Sequence, residues 1–350
     1  MTATKENKLC IVGHFAGKTP QYDGQTIKTR ELYNQLVKKI GKNNVNILDT
    51  YNWKKNPIKF FLKCIGVARA NSDIIILPST NGIKVLLPLF NRLKKIYKNK
   101  THYVVIGNWV CELLKHDKSL LKTIKNIDYI YLESHKSIES LQKLGVKKCY
   151  YMRNFKDLDN SPLASKHSDS PSLNCCIFSR IEKEKGILDA IDVINRYNSK
   201  HTNKIILDIY GKIKDNFKSE FESAISENKD ISYKKPINPK NSVAVISEYD
   251  LLLFPTKYKT EGIPGTIIDA FFSGVPVLAS KWNNFDEIIT EGETGFGYNF
   301  GDTNDFYEKL VYINNNRHKL KEMRKNCLKE SSKYTPEVAL SVLLNNLGSK

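Results

Sequence analysis

Two acids share one short junction of the chain. The stretch TEGIPGTIIDAFFSGVPVLAS places Glu261 in a Gly/Pro loop and Asp269 in the early turns of a helix expected to begin near Gly265–Thr266. The preceding DLLLFP reads as a strand, so the loop joins a strand end to a helix start. A helix start presents unpaired backbone N–H groups and the positive end of the helix dipole, which together attract anions. Gly262 and Gly265 let the backbone approach a ligand closely. A carboxylate can accept two hydrogen bonds from a vicinal diol. The combination therefore suits a ligand that carries both phosphates and hydroxyls. The plainer reading is a solvated Glu261 and an Asp269 that merely favours a helix N-terminus, and spacing alone leaves both readings open.

A second cluster is FSRIEKEKG, again between a strand and a helix. Arg180 can fork onto a phosphate and Lys185 can add a point charge. Glu182 and Glu184 are expected to face water. A solvated charged turn is the commoner fate of such a run.

The elements that must position these residues alternate along the chain. In the first half, strands are expected at 9–13, 45–48, 74–77, 102–106, 128–132 and 148–152, with helices at 26–40 and 82–98. The stretch DLDNSPLASKHSDSPS has no periodicity and reads as a linker. The alternation then restarts with CCIFS, a helix from Gly186, IILDIYG, LLLFP, a helix over IIDAFF, and VPVLA. The fold class is α/β, with two Rossmann-like domains facing a cleft. The expected boundaries are a first domain at 1–157, a linker at 158–172 and a second domain at 173–335, with a final helix at 336–350 packing back on the first domain.

Of the 350 residues, 41% are hydrophobic, so both domains can build cores. No run approaches the roughly 18 apolar residues of a membrane span, and the N-terminal residues lack the apolar stretch of a signal peptide. The seven cysteines, without a C-x-x-C pair, read as buried thiols in a reducing compartment. Cys175 and Cys176 are expected on opposite faces of a strand. Residues 1–157 hold 29 Lys+Arg against 11 Asp+Glu, which accounts for the whole formal charge of +18. That field attracts polyanions, whether nucleic acid, an anionic leaflet or a phosphorylated substrate.

Taken in order, five stretches of the second half resemble the C-terminal domain of a family 4 glycosyltransferase with the GT-B fold, of the bacterial surface-polysaccharide type. SRIEKEKG is similar to that family's G-R-L-x-x-E-K-G, and IILDIYG and SEYDLLLFPT follow in place. TEGIPGTIIDAFFSGVPVLAS is similar to its E-G-x-x-x-x-x-x-E-A-x-x-x-G-x-P-V, and NNFDEIITEGETGF is similar to its G-G-x-x-E-x-x-x-x-G-x-T-G. The resemblance implies that Arg180 and Lys185 hold the diphosphate of a nucleotide sugar. It also implies that Glu261 contacts the donor sugar's hydroxyls and Asp269 the nucleotide ribose. Backbone N–H groups from Gly262, Ile263, Pro264, Gly265 and Thr266 (Pro264 serving only as spacer) line the approach to sugar and phosphate. Asp269 stands where the family has Glu, Ser179 replaces a Gly, and Asn283 and Asn284 replace a Gly pair.

The first half is similar more weakly, through LCIVGHFAGKTPQYDGQTIKTRELYNQL. There Gly24 and Gln25 are candidates for approaching the donor, and Asn108 and His14 for a sugar contact. The resemblance implies retention at the anomeric carbon, by same-face attack of an acceptor hydroxyl assisted by the departing phosphate. No cofactor and no metal are expected, the nucleoside-diphosphate sugar being a co-substrate.

The basic half carries two aromatic- and lysine-bearing stretches, YNWKKNPIKFFLKCIG and LLPLFNRLKKIYK. They read either as bilayer-facing helices or as crossover helices packed on the sheet with solvated lysines opposite. Together the readings predict a cytoplasmic, peripherally membrane-associated hexosyltransferase for surface polysaccharide, with a glycan or lipid-linked acceptor. A GT-B nucleotide-sugar 2-epimerase and a basic nucleic-acid-binding protein are the alternatives. The epimerase lacks acid/base groups to place beside a sugar C2, and no nucleic-acid-binding signature is present.

Overall fold

The computed structural model describes residues 8–17, 24–78, 80–158, 170–226 and 228–348. The chain divides into two compact units, Met1–Asn154 with Pro336–Lys350, and Phe155–Thr335. The division falls at Asn154 rather than at 157 because Phe155 is buried and the Lys156 N–H donates to the Tyr334 carbonyl (3.1 Å), inside the second unit. The linker expected over 158–172 lies largely outside the described residues.

In the first unit the elements run β1 (Leu9–Gly13), α1 (Gly24–Ile40), β2 (Val45–Asp49), α2 (Pro57–Ala70), β3 (Asp73–Leu77), α3 (Thr80–Tyr97), β4 (Lys100–Val104), α4 (Trp109–His116), α5 (Lys118–Ile124), β5 (Tyr129–Leu132), α6 (His135–Lys143) and β6 (Cys149–Tyr151). The sheet is parallel throughout, in the order β2-β1-β3-β4-β5-β6. Its central strands LCIVG and DIIIL are buried along their whole length, as parallel strands covered on both faces must be. Helix starts are locally specified. Asn56 caps α2 at the Lys59 N–H with Pro57 in the first turn, and Ser134 caps α6 at the Ser137 N–H.

The stretch LLPLFNRLKKIYK lies almost wholly in α3, and its periodic apolar positions turn to the core. Leu86, Phe90 and Leu93 are buried, and Leu89 and Tyr97 pack against the same core. The 3.6-residue periodicity there reports an ordinary crossover helix on its sheet.

The second unit runs β7 (Leu173–Phe178), α7 (Ile187–Lys200), β8 (Ile205–Tyr210), α8 (Lys218–Ile225), β9 (Ile231–Tyr233), α9 (Ser242–Ile246), β10 (Leu251–Phe254), α10 (Gly265–Phe272), β11 (Val277–Ser280), β12 (Gly295–Tyr298), α11 (Thr303–Asn315) and α12 (Leu320–Ser331). Its parallel sheet has the order β12-β11-β10-β7-β8-β9. Cys175 faces the core that includes α7, and Cys176 the opposite core that includes α10. All seven cysteines are free, and burial pushes the Cys10 and Cys64 thiols up to about 12, which makes them inert at neutral pH. The last helix, α13 (Pro336–Asn346), belongs to the first unit, where Asn346 Nδ2 donates to the Tyr131 hydroxyl at 3.2 Å.

Candidate functional site

In the second sheet the chain builds outward from β7 to β8 and β9, then returns to the other side of β7 as β10. Neighbouring strands β7 and β10 thus form a topological switch point, where the two following loops diverge and leave a crevice at their carboxyl ends. The loop after β7 carries Arg180 and Lys185, and the loop after β10 carries Glu261. The two sequence clusters therefore meet because of strand order alone.

The meeting is close. Lys185 Nζ lies 2.6 Å from Glu261 Oε2, both side chains being mostly shielded. The ammonium also sits over the Tyr258 ring, 4.9 Å from its centroid. Thr256 Oγ1 approaches the same Glu261 oxygen at 3.3 Å. Gly186, which follows Lys185, has φ +67°, and a Cβ there would stand 1.8 Å from the Pro255 carbonyl oxygen. Only glycine permits this contact between the two loops.

Arg180 is the exposed member, its Nη2 3.0 Å from Glu182 Oε1. Glu182 does not face water as expected. It is buried and also receives Lys214 Nζ at 3.4 Å, so it tethers two cations at the rim. Glu184 is exposed, as read from the sequence. Tyr258, which sequence reasoning missed, lies where these groups converge. Burial pushes its hydroxyl above the ordinary range, Glu182 and Glu184 add to that, Arg180 opposes it, and Glu261 adds again.

The loop that carries Glu261 is held by residues at the end of β11 and just after it. Asn284 Nδ2 donates to the Glu261 carbonyl (3.0 Å), Trp282 Nε1 to the Gly262 carbonyl (3.3 Å), and Ser280 Oγ to the Thr256 carbonyl (2.6 Å). One of the two asparagines in place of the family's glycine pair thus braces the loop. Ile263 is buried and joins the core on the α10 side of the sheet.

Helix α10 starts after Pro264, with no side-chain cap and no acid in its first turn. Nothing in the first turn competes with an incoming anion. Thr266 Oγ1 is buried and has no hydrogen-bond partner among the described residues.

Asp269 does not lie open beside Glu261. It is buried and paired with Lys156, whose Nζ is 3.2 Å from Oδ1 and 3.4 Å from Oδ2. Burial raises the Asp269 carboxyl above the usual carboxylate range, with Lys156 pulling against that. The Lys156 chain runs past Gly265, where an added Cβ would meet its Cε at 3.2 Å. Lys156 was invisible to sequence reasoning because its partner is 113 residues away.

In the first unit, β1 and β3 flank the corresponding switch point. His14, just after β1, has Nδ1 2.8 Å from Thr26 Oγ1 and sets its ring edge-on to Tyr51. Gln25 donates to the Leu77 carbonyl at the end of β3 (3.2 Å), and Gly24 opens α1 in exposed surroundings. Asp49, at the end of β2, accepts from the N–H groups of Phe15 and Gly17 at 2.9 Å each, fixing the loop after β1. Asn108 Oδ1 accepts from Ser137 Oγ at 2.5 Å, tying the loop after β4 to α6. A buried ion pair, Lys28 with Glu133, links α1 to the end of β5 and had no sequence signal. Among the described residues no group of three or more His, Cys, Asp or Glu side chains is placed to hold a metal ion.

Two Rossmann-like α/β units of this topology define the GT-B fold. The chain resembles Anabaena HepE, solved in complex with UDP and glucose, with a TM-score of 0.72 at 13% identity, over 97% of this chain and 98% of that one. At that identity the likeness speaks for the fold. Residues 166–330 match the family model described as glycosyl transferases group 1. An uncharacterized 41.2 kDa protein from the cps region of Klebsiella pneumoniae is 31% identical over 137 residues, 39% of this chain and 35% of that protein. An uncharacterized glycosyltransferase of Methanocaldococcus jannaschii is 22% identical over 256 residues, 71% of this chain and 63% of that protein. The chain thus spans less than two thirds of the length of either curated relative.

Proposed function

We propose that the protein is a retaining glycosyltransferase that moves a hexose-type sugar from a nucleoside-diphosphate sugar to a glycan acceptor, itself lipid-linked, in the synthesis of a surface polysaccharide. The observation that carries this reading is the convergence, at the β7/β10 switch point, of the Lys185–Glu261 pair with the uncapped start of α10. The family match of the second unit, the UDP and glucose of the HepE complex and the cps-region relative support it.

In this reading the diphosphate lies against the first turn of α10, between its N–H groups and the cations Lys185 and Arg180. These groups stabilise the charge that develops as the nucleoside diphosphate departs, without a metal ion. Lys185 is already engaged by Glu261, so the donor enters a site whose cation is held in place beforehand. Glu261 then accepts from sugar hydroxyls, and Asp269 from the ribose while keeping Lys156 as its counter-ion. Of the residues in the first unit, Gly24 and Gln25 are assigned to the donor, and His14 and Asn108 to a sugar contact. The departing phosphate assists same-face attack by the acceptor hydroxyl. The basic first unit works at the inner face of the cell membrane.

Thermal unfolding with UDP, GDP and ADP, then a panel of nucleotide sugars read by nucleoside-diphosphate release with and without lipid-linked acceptors, tests the reading. Stabilisation by at least one nucleoside diphosphate is expected. If all three leave the melting temperature unchanged while oligonucleotides raise it, the proposal is wrong.

A further inference from the structure

Helix α2 has two apolar faces. Phe60, Cys64 and Ala68, at the spacing of one helical stripe, are buried. Ile58, Leu62, Ile65 and Phe61 form an adjoining stripe and are 74%, 64%, 39% and 36% exposed. At about 100° per residue these four fall within an arc of about 100°. They are four of the nine large hydrophobic side chains exposed among the described residues, gathered on a single helix. Their clustering is therefore not the ordinary scatter of apolar side chains on a surface.

The polar surroundings have one sign. Lys59 and Lys63 flank the exposed apolar arc, Lys54 and Lys55 precede it in a 3-10 turn, and Arg69 stands near its end, all exposed. Between Asp49 and Asp73 the sequence contains no acid. A second copy of this chain docked face to face would bring the same cations together, which disfavours self-association. No helix among the described residues is long and apolar enough to cross a membrane. An apolar stripe with a lysine border on a short helix instead matches the interface of an anionic bilayer.

We propose that the outer face of α2 is the surface by which this protein docks on anionic lipid, with Ile58, Leu62, Ile65 and Phe61 entering the headgroup boundary and the lysines meeting lipid phosphates. This deepens the membrane reading given above and rests on it for its purpose, since a lipid-linked acceptor is presented there. The tryptophan and Phe60 of the same stretch take no part, because Trp53 packs against Phe60 at the core, the rings tilted with 5.5 Å between centroids.

The test is co-sedimentation of the full chain with phosphatidylcholine vesicles, with and without phosphatidylglycerol. Binding to the anionic vesicles alone is expected. I58E/L62E should weaken it at least tenfold while circular dichroism and UDP-induced thermal stabilisation stay as in the wild type. K54Q/K59Q/K63Q should weaken it by roughly a hundredfold, at about fivefold per lysine, and flatten its salt dependence. The proposal is overturned if the wild type ignores anionic vesicles, if I58E/L62E binds them as well as the wild type, or if light scattering shows a dimer that the same double variant abolishes. The UDP measurement keeps the two readings apart. Its failure counts against sugar transfer and leaves the vesicle result standing.

Discussion

Replacing Lys156 by Met removes an ammonium 3.2 Å from a buried carboxylate. Taking away one partner of a buried pair costs about 3–5 kcal/mol when the other must stay charged. Asp269 can escape by taking a proton, and the escape caps the cost. At pH 7 the cap is the distance from the wild-type folded pKa of Asp269, which lies above the reference value of about 3.9, so it stays below roughly 3 pH units or about 4 kcal/mol. At pH 5 it stays below about 1.5 kcal/mol.

The sign follows from burial, which holds Asp269 above its ordinary value even with Lys156 present. A carboxyl raised in the folded state contributes most below its unfolded pKa and loses that contribution as pH climbs toward its folded pKa. The variant's deficit therefore opens above the wild-type folded pKa and widens from there to pH 7. Urea unfolding at pH 5 and pH 7 measures it, followed through Trp282, which is buried in the second unit, in a W53F/W109F background. K156M/D269N, which removes both charges, should recover most of the loss. A deficit below about 1 kcal/mol at pH 7, or one equal at the two pH values, would refute the claim that this pair is desolvated and mutually dependent.

Lys185→Ala and Glu261→Ala should each lower sugar transfer at least about tenfold while the chain stays folded by circular dichroism; near-wild-type turnover in both removes the pair from the mechanism. Gly186→Ala places a Cβ 1.8 Å from the Pro255 oxygen at φ +67°, so a loss of several kcal/mol, on the order of 3 or more, is expected in thermal unfolding. Asn284→Ala removes one hydrogen bond bracing the Glu261 loop, worth about 1 kcal/mol, and should weaken UDP binding about fivefold by calorimetry with little change in melting temperature.

The strands were legible wherever the sheet buries both faces. LCIVG and DIIIL announce themselves by unbroken β-branched and aliphatic runs between polar breaks, and Leu9–Gly13 falls where it was expected. The edge strands of the second sheet were not, although those of the first, Val45–Asp49 and Cys149–Tyr151, fall where they were expected. Ile231–Tyr233 has three residues, and Gly295–Tyr298 alternates glycine with aromatics, so neither carries a periodic signal. The placement of Arg180, Lys185 and Glu261 in strand-end loops was legible, because such loops and helix starts have local signatures. Their partners were not. Nothing near Asp269 points to Lys156, and nothing in EKEK separates the buried Glu182 from the exposed Glu184. Periodicity likewise could not tell α2 from α3, since both show an apolar stripe with lysines. What distinguishes α2 is a second apolar stripe, visible only once the first has been assigned to the core.

The placement of α13 bears on how the molecule is made. The second unit is contiguous from Phe155 to Thr335, whereas the first takes its last helix from beyond that point. As the chain leaves the ribosome, the second unit can complete its own core while the first still lacks Ala339, Leu340 and Leu343. The unit that comes first in the sequence is thus completed after the other. Until α13 is made, the first unit keeps uncovered the apolar surface that Ala339, Leu340 and Leu343 will bury.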